Sequence, residues 1–225
     1  MFSAIAPRYD LLNRLLSAGR DRVWRREAVR AARLPPHGRL VDICTGTADM
    51  MLEAVRQYPG ALIAGVDFSA PMIELGRRKA AGAQGAERAF LAVAPAEALP
   101  FSDGAFDAAT VAFGLRNVPD RRQALSEMHR VLRPGGRAVV LEFTTPPGRL
   151  FRAIYLWYFH RVLPMIGGLV SGHPSAYSYL PASVAEFPTP KDLANWMLRE
   201  GFRDVSYRLL TGGIVAIHVG LKNGG

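Results

Sequence analysis

Two short stretches carry residue types that can do chemistry together. The run Arg39-Leu40-Val41-Asp42-Ile43 leads into the small-residue loop Cys44-Thr45-Gly46-Thr47-Ala48-Asp49, and a second β-type run, Ala61 to Val66, ends in Asp67. That places the acid roughly twenty residues after the loop. Small residues let a ligand approach the backbone closely, since little projects beyond Cβ to block it. A carboxylate at a strand end can accept hydrogen bonds from both hydroxyls of a ribose. The loop alone fits a plain structural turn, and Asp67 alone fits a helix cap. Loop, strand and terminal acid together point to an adenosine-containing cofactor.

The elements that must position these residues follow from spacing. Helical periodicity predicts helices over Asp21 to Arg33, Asp49 to Gln57, Pro71 to Ala81, Asp120 to Leu132 and Thr189 to Glu200. Ser69 stands where an N-cap is expected before Pro71, and Gly201 where a helix stops. Further β runs are Arg88 to Val93, Ala105 to Phe113 and Arg137 to Phe143. The fourth run is apolar on both faces, as a buried parallel strand should be. Alternating strand and helix with short loops predicts an α/β, doubly wound, mostly parallel sheet. Val205 to Leu210 and Ile214 to Leu221, joined at Thr211-Gly212-Gly213, predict a closing antiparallel hairpin. Ahead of the sheet, Met1 to Ser17 and the Arg-rich helix after it form a helical cap, with Tyr9, Asp10 and Asn13 facing a substrate on one reading and plain packing on the other.

Composition narrows the classes. The 225 residues suit a single domain with an appended lid: a cap at 1–34, a cofactor-binding core at 39–143, a lid at 147–186, and a closing helix and hairpin at 189–222. One cysteine, Cys44, excludes an intrachain disulfide and a multi-Cys metal site, and fits a small residue at a strand end better than a reactive thiol. Met1 to Leu16 is broken by Arg8, Asp10 and Arg14, so no secretory pattern is read and a cytoplasmic protein is expected. The net charge of +9 favours anionic partners. The aromatic stretch Phe151 to Val170 is nearly span-length, but Arg152, His160, Arg161 and Pro164 interrupt it, which favours a lid helix over a membrane span.

Three further motifs carry a resemblance: Ala96-Glu97-Ala98-Leu99-Pro100-Phe101, Phe113-Gly114-Leu115-Arg116-Asn117-Val118 and Arg130-Val131-Leu132-Arg133-Pro134-Gly135-Gly136. With these in view the chain resembles the ubiquinone/menaquinone biosynthesis C-methyltransferases, which are class I S-adenosylmethionine-dependent enzymes. The first and third motifs are shared by many small-molecule methyltransferases, whereas Phe-Gly-Leu-Arg-Asn-Val is much more specific. The likeness extends through Tyr9 to Asn13, Ser17 to Arg26, Leu141 to Phe143, Tyr177 to Leu180 and Gly213 to His218, and so spans nearly the whole chain. The chain departs from the family pattern at Ala48, Pro95 and Ala112.

The resemblance implies a seven-stranded Rossmann-like methyltransferase sheet and S-adenosyl-L-methionine as cofactor. It implies that Gly46 and Thr47 line the methionine part, that Asp67 holds the ribose, and that Phe68 and Met72 flank the adenine. Pro95 offers no N–H, so adenine contacts fall to the Ala96 amide, Glu97 or packing. Asp42, Asp49, Ala112 and Phe113 complete the implied cofactor set, and no metal is implied. The implied reaction is C-methylation of a reduced demethyl-quinol, because a quinol becomes a carbon nucleophile once a phenolic proton is lost. Arg116 is expected to stabilise the phenolate and Asn117 to orient a ring oxygen or a water, with His218, Tyr177 and Asp10 as weaker bases or orienters. For His218, in an apolar strand, a satisfied core histidine is an equal alternative.

The leading expectation is conversion of demethylmenaquinol to menaquinol. A ubiquinone precursor or another small phenolic or lipid substrate is the second enzymatic reading. A non-catalytic nucleic-acid-binding protein is the reading from another class, disfavoured because no basic run is interleaved with stacking aromatics. An isoprenoid quinol, with its tail admitted through Phe151 to Phe159, is the expected substrate. Peripheral contact with the inner face of an anionic membrane is expected alongside it, and oligomeric state is not legible.

Overall fold

The computed structural model describes residues 17, 19–157, 161 and 183–224. The first helical pattern with Tyr9, Asp10 and Asn13, most of the expected lid, and Tyr177 lie outside the described residues.

Seven strands form one sheet: β1 (Arg39–Ile43), β2 (Leu62–Asp67), β3 (Ala89–Val93), β4 (Phe106–Ala112), β5 (Leu132–Phe143), β6 (Phe202–Leu210) and β7 (Val215–Lys222). Their order is β3-β2-β1-β4-β5-β7-β6. The first five run parallel, and β7 lies antiparallel between β5 and β6. This is the expected doubly wound sheet with its closing hairpin. The chain moves outward from β1 to β3 and then returns to pair β4 with β1. That reversal opens a crevice beyond the carboxyl ends of β1 and β4, the usual ligand site of such sheets.

Helices cover both faces. On one side lie α1 (Asp21–Ala31) and α2 (Asp49–Gln57), whose Trp24, Val29, Met51 and Val55 join a core with Leu40 and Ile63. On the other, α4 (Arg121–Val131) and α6 (Pro190–Arg199) bury Leu125, Met128, Leu193 and Met197 against Val41, Val111 and Phe202. Between them in sequence run α3 (Ala70–Ala80) and α5 (Arg149–Trp157). The buried set of α1 is Asp21, Trp24, Arg25, Ala28 and Val29, a single helical stripe that includes two charged residues. The Trp24 indole N–H donates to Thr211 Oγ1 at 2.8 Å, tying α1 to the β6–β7 turn.

Three local expectations need correction. β5 begins at Leu132 rather than Arg137, because Leu132 already pairs with Phe106 and Pro134-Gly135-Gly136 makes an irregularity within the ladder rather than a break. β6 begins at Phe202 rather than Val205, with a register shift after Arg203 that accommodates Asp204 in a left-handed conformation. Ser69 occupies the N-cap position of α3, but its hydroxyl makes no capping bond and is buried without a partner. By contrast Asp120 caps α4 by accepting from the Arg122 and Gln123 amides at 3.1 and 2.9 Å. Such a cap is worth about 1 kcal/mol.

Candidate active site

The loop after β1 turns through three left-handed residues, Cys44 (φ 55°), Gly46 (φ 57°) and Ala48 (φ 70°). Phe113, facing it after β4, is left-handed as well (φ 56°). For a residue with a side chain this conformation costs roughly 1–2 kcal/mol, and such strain tends to collect at ligand sites. Two glycines make the arrangement sterically possible. A Cβ at Gly114 would fall 2.3 Å from the Cβ of Cys44, so only glycine lets the two loops close. A Cβ at Gly46 would meet nothing within 4 Å, so its bare face opens on empty space.

That space is a cavity of about 400 Å³ at the crevice beyond β1 and β4. Its volume lies within the ordinary range for small-molecule sites. Gly46, Thr47, Asp49, Asp67, Phe68 and Met72 line it together with Ala96, Glu97, Ala112, Phe113 and Asn117. The sequence motifs therefore converge, although they are spread over some seventy positions of a chain whose sheet brings their strand ends together.

Asp67 is a buried member of this lining. Its Oδ2 accepts the Gly46 amide at 2.9 Å and its Oδ1 accepts the Ser69 amide at 2.9 Å. Burial raises its pKa, while the two amides act in the opposite direction. A carboxylate has about four acceptor sites; two are taken, leaving one lone pair on each oxygen for a pair of hydroxyls. This donor and acceptor chemistry fits the ribose of S-adenosylmethionine, and the open face at Gly46 fits close approach of its chain.

Asp42 sits beneath the loop and does not line the cavity. It accepts Thr45 Oγ1 at 2.7 Å and Thr110 Oγ1 at 2.9 Å, and burial pushes its pKa up to about 7. Its observed contacts are therefore with the loop through Thr45 and with β4 through Thr110, not with the cavity. Cys44 lines the cavity half-buried, and burial drives its thiol pKa well up, which keeps it protonated and a poor nucleophile. That agrees with the non-reactive reading.

Of the four expected catalytic residues, the three that are described do not all reach the cavity. Asn117 lines the cavity. Arg116 is buried behind it: Nη1 donates to Glu142 Oε1 at 2.8 Å and to the Phe113 carbonyl, and its guanidinium stacks 5.4 Å from the centroid of Phe143. His218 lies on β7 away from the cavity. Its Nε2 meets the Pro190 carbonyl at 2.8 Å, its ring stacks on Tyr207, and burial lowers its pKa to about 4. It is thus a neutral core histidine, the alternative its apolar strand suggested. Tyr177 is outside the described residues.

Arg25 was not anticipated. It reaches the cavity from α1, held by Asp21 and lying 3.7 Å from Asp49. The available signal was its place in the buried stripe of α1, one helical turn from an acid. Val118, the last residue of the specific motif, and Pro119, directly after it, also line the cavity.

A profile of the ubiE/COQ5 methyltransferase family matches residues 1–222. The "Ubiquinone/menaquinone biosynthesis C-methyltransferase UbiE" of Geobacter sulfurreducens is 56% identical over 223 residues, covering 99% of this chain and 87% of the relative. The "Demethylmenaquinone methyltransferase" of Thermus thermophilus is 56% identical over 220 residues, covering 98% of this chain and 99% of the relative. The crystal structure of a SAM-dependent methyltransferase from Thermotoga maritima superposes with a TM-score of 0.67 at 21% identity, covering 99% of this chain and 100% of that one. At that identity the structural match bears on the fold alone.

Proposed function

The chain belongs to the ubiE/COQ5 methyltransferase family, S-adenosylmethionine-dependent C-methyltransferases of quinone biosynthesis, and from that premise we propose that its substrate is reduced demethylmenaquinol. Membership replaces the nucleic-acid-binding reading, which required a relict fold without catalysis. The observation that carries the choice of ring is the Thermus thermophilus relative, named for demethylmenaquinone and matched over 99% of its length.

When bound, S-adenosylmethionine supplies a methyl group on a cationic sulfur that leaves as a neutral thioether. The residues of this chain have the tasks of binding, aligning and assisting proton loss. Asp67 takes the ribose hydroxyls, Gly46 and Thr47 the methionine chain, and Phe68 and Met72 the adenine faces. Ala96 and Glu97, also on the cavity lining, take the adenine edge. Much of the rate then comes from holding the ring carbon in line with the methyl group. A phenol titrates near ~10 in water, so the ring needs help to become a phenolate. Asn117, on the cavity wall, orients the ring oxygen. Arg116 supports it from behind, with Glu142 fixing the guanidinium.

The charge of +9 and the exposed Leu150, Phe151 and Trp157 beside Arg149 and Arg152 on α5 support reversible contact with an anionic membrane, where an isoprenoid quinol resides. No helix among the described residues is long and apolar enough to cross a membrane.

The test is quinone mass analysis in a bacterium lacking its own demethylmenaquinone methyltransferase and carrying this chain. Restored menaquinone is expected. Persisting demethylmenaquinone, or methylation of a ubiquinone precursor alone, would overturn the choice of ring.

A further inference from the structure

On the cavity lining, opposite charges stand close together: Arg25 Nη2 lies 3.7 Å from Asp49 Oδ2. Arg25 is buried, with its side chain 10% exposed, yet it lines the cavity beside Gly46, Thr47 and Asp49. Its Nη1 binds Asp21, and Asp21 in turn accepts Ser17 Oγ at 2.9 Å, so the guanidinium is anchored from behind. The Phe113 ring lies 5.5 Å from its Cζ and fixes the plane. Its Nη2 stops 3.7 Å from Asp49 Oδ2, outside hydrogen-bond distance. Asp49 is steadied on its other oxygen by Lys79.

A buried guanidinium is costly unless its donors are used. Its planar fork suits a carboxylate, which can take two parallel N–H donors. An adjacent cation and anion, both facing a cavity, are the complement of a zwitterionic α-amino acid. We propose that Arg25 binds the carboxylate at the amino-acid end of S-adenosylmethionine, with Asp49 receiving its ammonium group. The proposal rests on the reading of this cavity as the cofactor site. It gives α1 a part in cofactor binding, and it makes the site selective for donors that keep an intact amino-acid end.

The competing explanation is that Arg25 only ties α1 to α2. The two differ in ligand dependence. S-adenosylmethionine and its decarboxylated counterpart share the adenosine and the sulfonium, and differ in the carboxylate. Calorimetric affinities for both, without quinol, are measured on the unaltered protein, Arg25→Met and Arg25→Lys. Arg25→Met is expected to weaken S-adenosylmethionine by about 10- to 100-fold, as loss of one or two charge-assisted hydrogen bonds would. It should leave the decarboxylated ligand within about threefold of its original affinity, with Arg25→Lys intermediate. Equal weakening of both ligands, or of neither, overturns the proposal. Should Arg25→Met fail to fold, Arg25→Lys is read by the same ratio. Absence of S-adenosylmethionine binding to the unaltered protein would instead contradict the cofactor site itself.

Discussion

The Gly46 amide donates to Asp67 Oδ2 at 2.9 Å, which makes the loop after β1 and the acid ending β2 one rigid unit. Any change at Asp67 therefore acts twice, on the ligand hydroxyls and on the loop that approaches the ligand. Asp67→Asn keeps the shape but removes the charge and turns one acceptor into a donor that faces an amide. S-adenosylmethionine affinity is expected to fall by about 10- to 100-fold, read by calorimetry. Unchanged affinity would remove Asp67 from the site.

Arg116 is paired with Glu142 inside the protein, where breaking one partner leaves an uncompensated charge. Glu142→Ala is expected to lower unfolding free energy by about 3 to 5 kcal/mol, measured by urea denaturation. Arg116→Lys keeps the charge and loses the fork. Its turnover should drop about 10- to 100-fold, with cofactor affinity within about threefold. Full turnover would contradict a role in the reaction.

The main lines of the fold were legible because apolar periodicity and turn residues agree along the chain. Helix starts at Asp21, Asp49 and Arg121 fall within a residue of the pattern. What periodicity could not show was order. Nothing local places β7 between β5 and β6, since that depends on which edge of the sheet the hairpin meets. The site was legible where motifs end strands, at Gly46, Asp67, Ala96 and Asn117. It was not legible at Arg25, because a charged residue in a helical stripe reads as surface until its neighbours in space are known. Nor could the sequence separate Asn117 from Arg116, adjacent residues that a tight turn directs to opposite sides of the cavity wall.

His218 sets a pH dependence of stability. Its folded pKa of about 4 lies below the ordinary value near 6.5, so the unfolded chain binds the extra proton as pH falls. Its contribution to stability is therefore intact above about pH 6.5 and is lost as pH drops toward 4. Between pH 7 and 5 the loss amounts to about 2 kcal/mol. His218→Asn should lack that slope, and the difference between parent and variant, followed by chemical denaturation, should change by this amount. A difference that stays flat with pH would contradict a neutral buried histidine.

Membrane contact should require both charge and apolar side chains. Cosedimentation with phosphatidylglycerol vesicles is expected at low salt, with weakening as salt rises and on Leu150→Ser/Trp157→Ser substitution. Failure to bind anionic vesicles at low salt would remove the membrane from the proposal.

The central claim concerns the redox state of the ring as well as its identity, because only the reduced ring has a nucleophilic carbon. The direct measurement is anaerobic turnover of purified protein with S-adenosylmethionine and a short-tail demethylmenaquinone, reduced in one arm and oxidised in the other, with products read by mass. The account predicts a product heavier by one CH2, methylated on ring carbon, in the reduced arm alone. Equal turnover in the oxidised arm, methylation on oxygen, or no product from the quinol would contradict it.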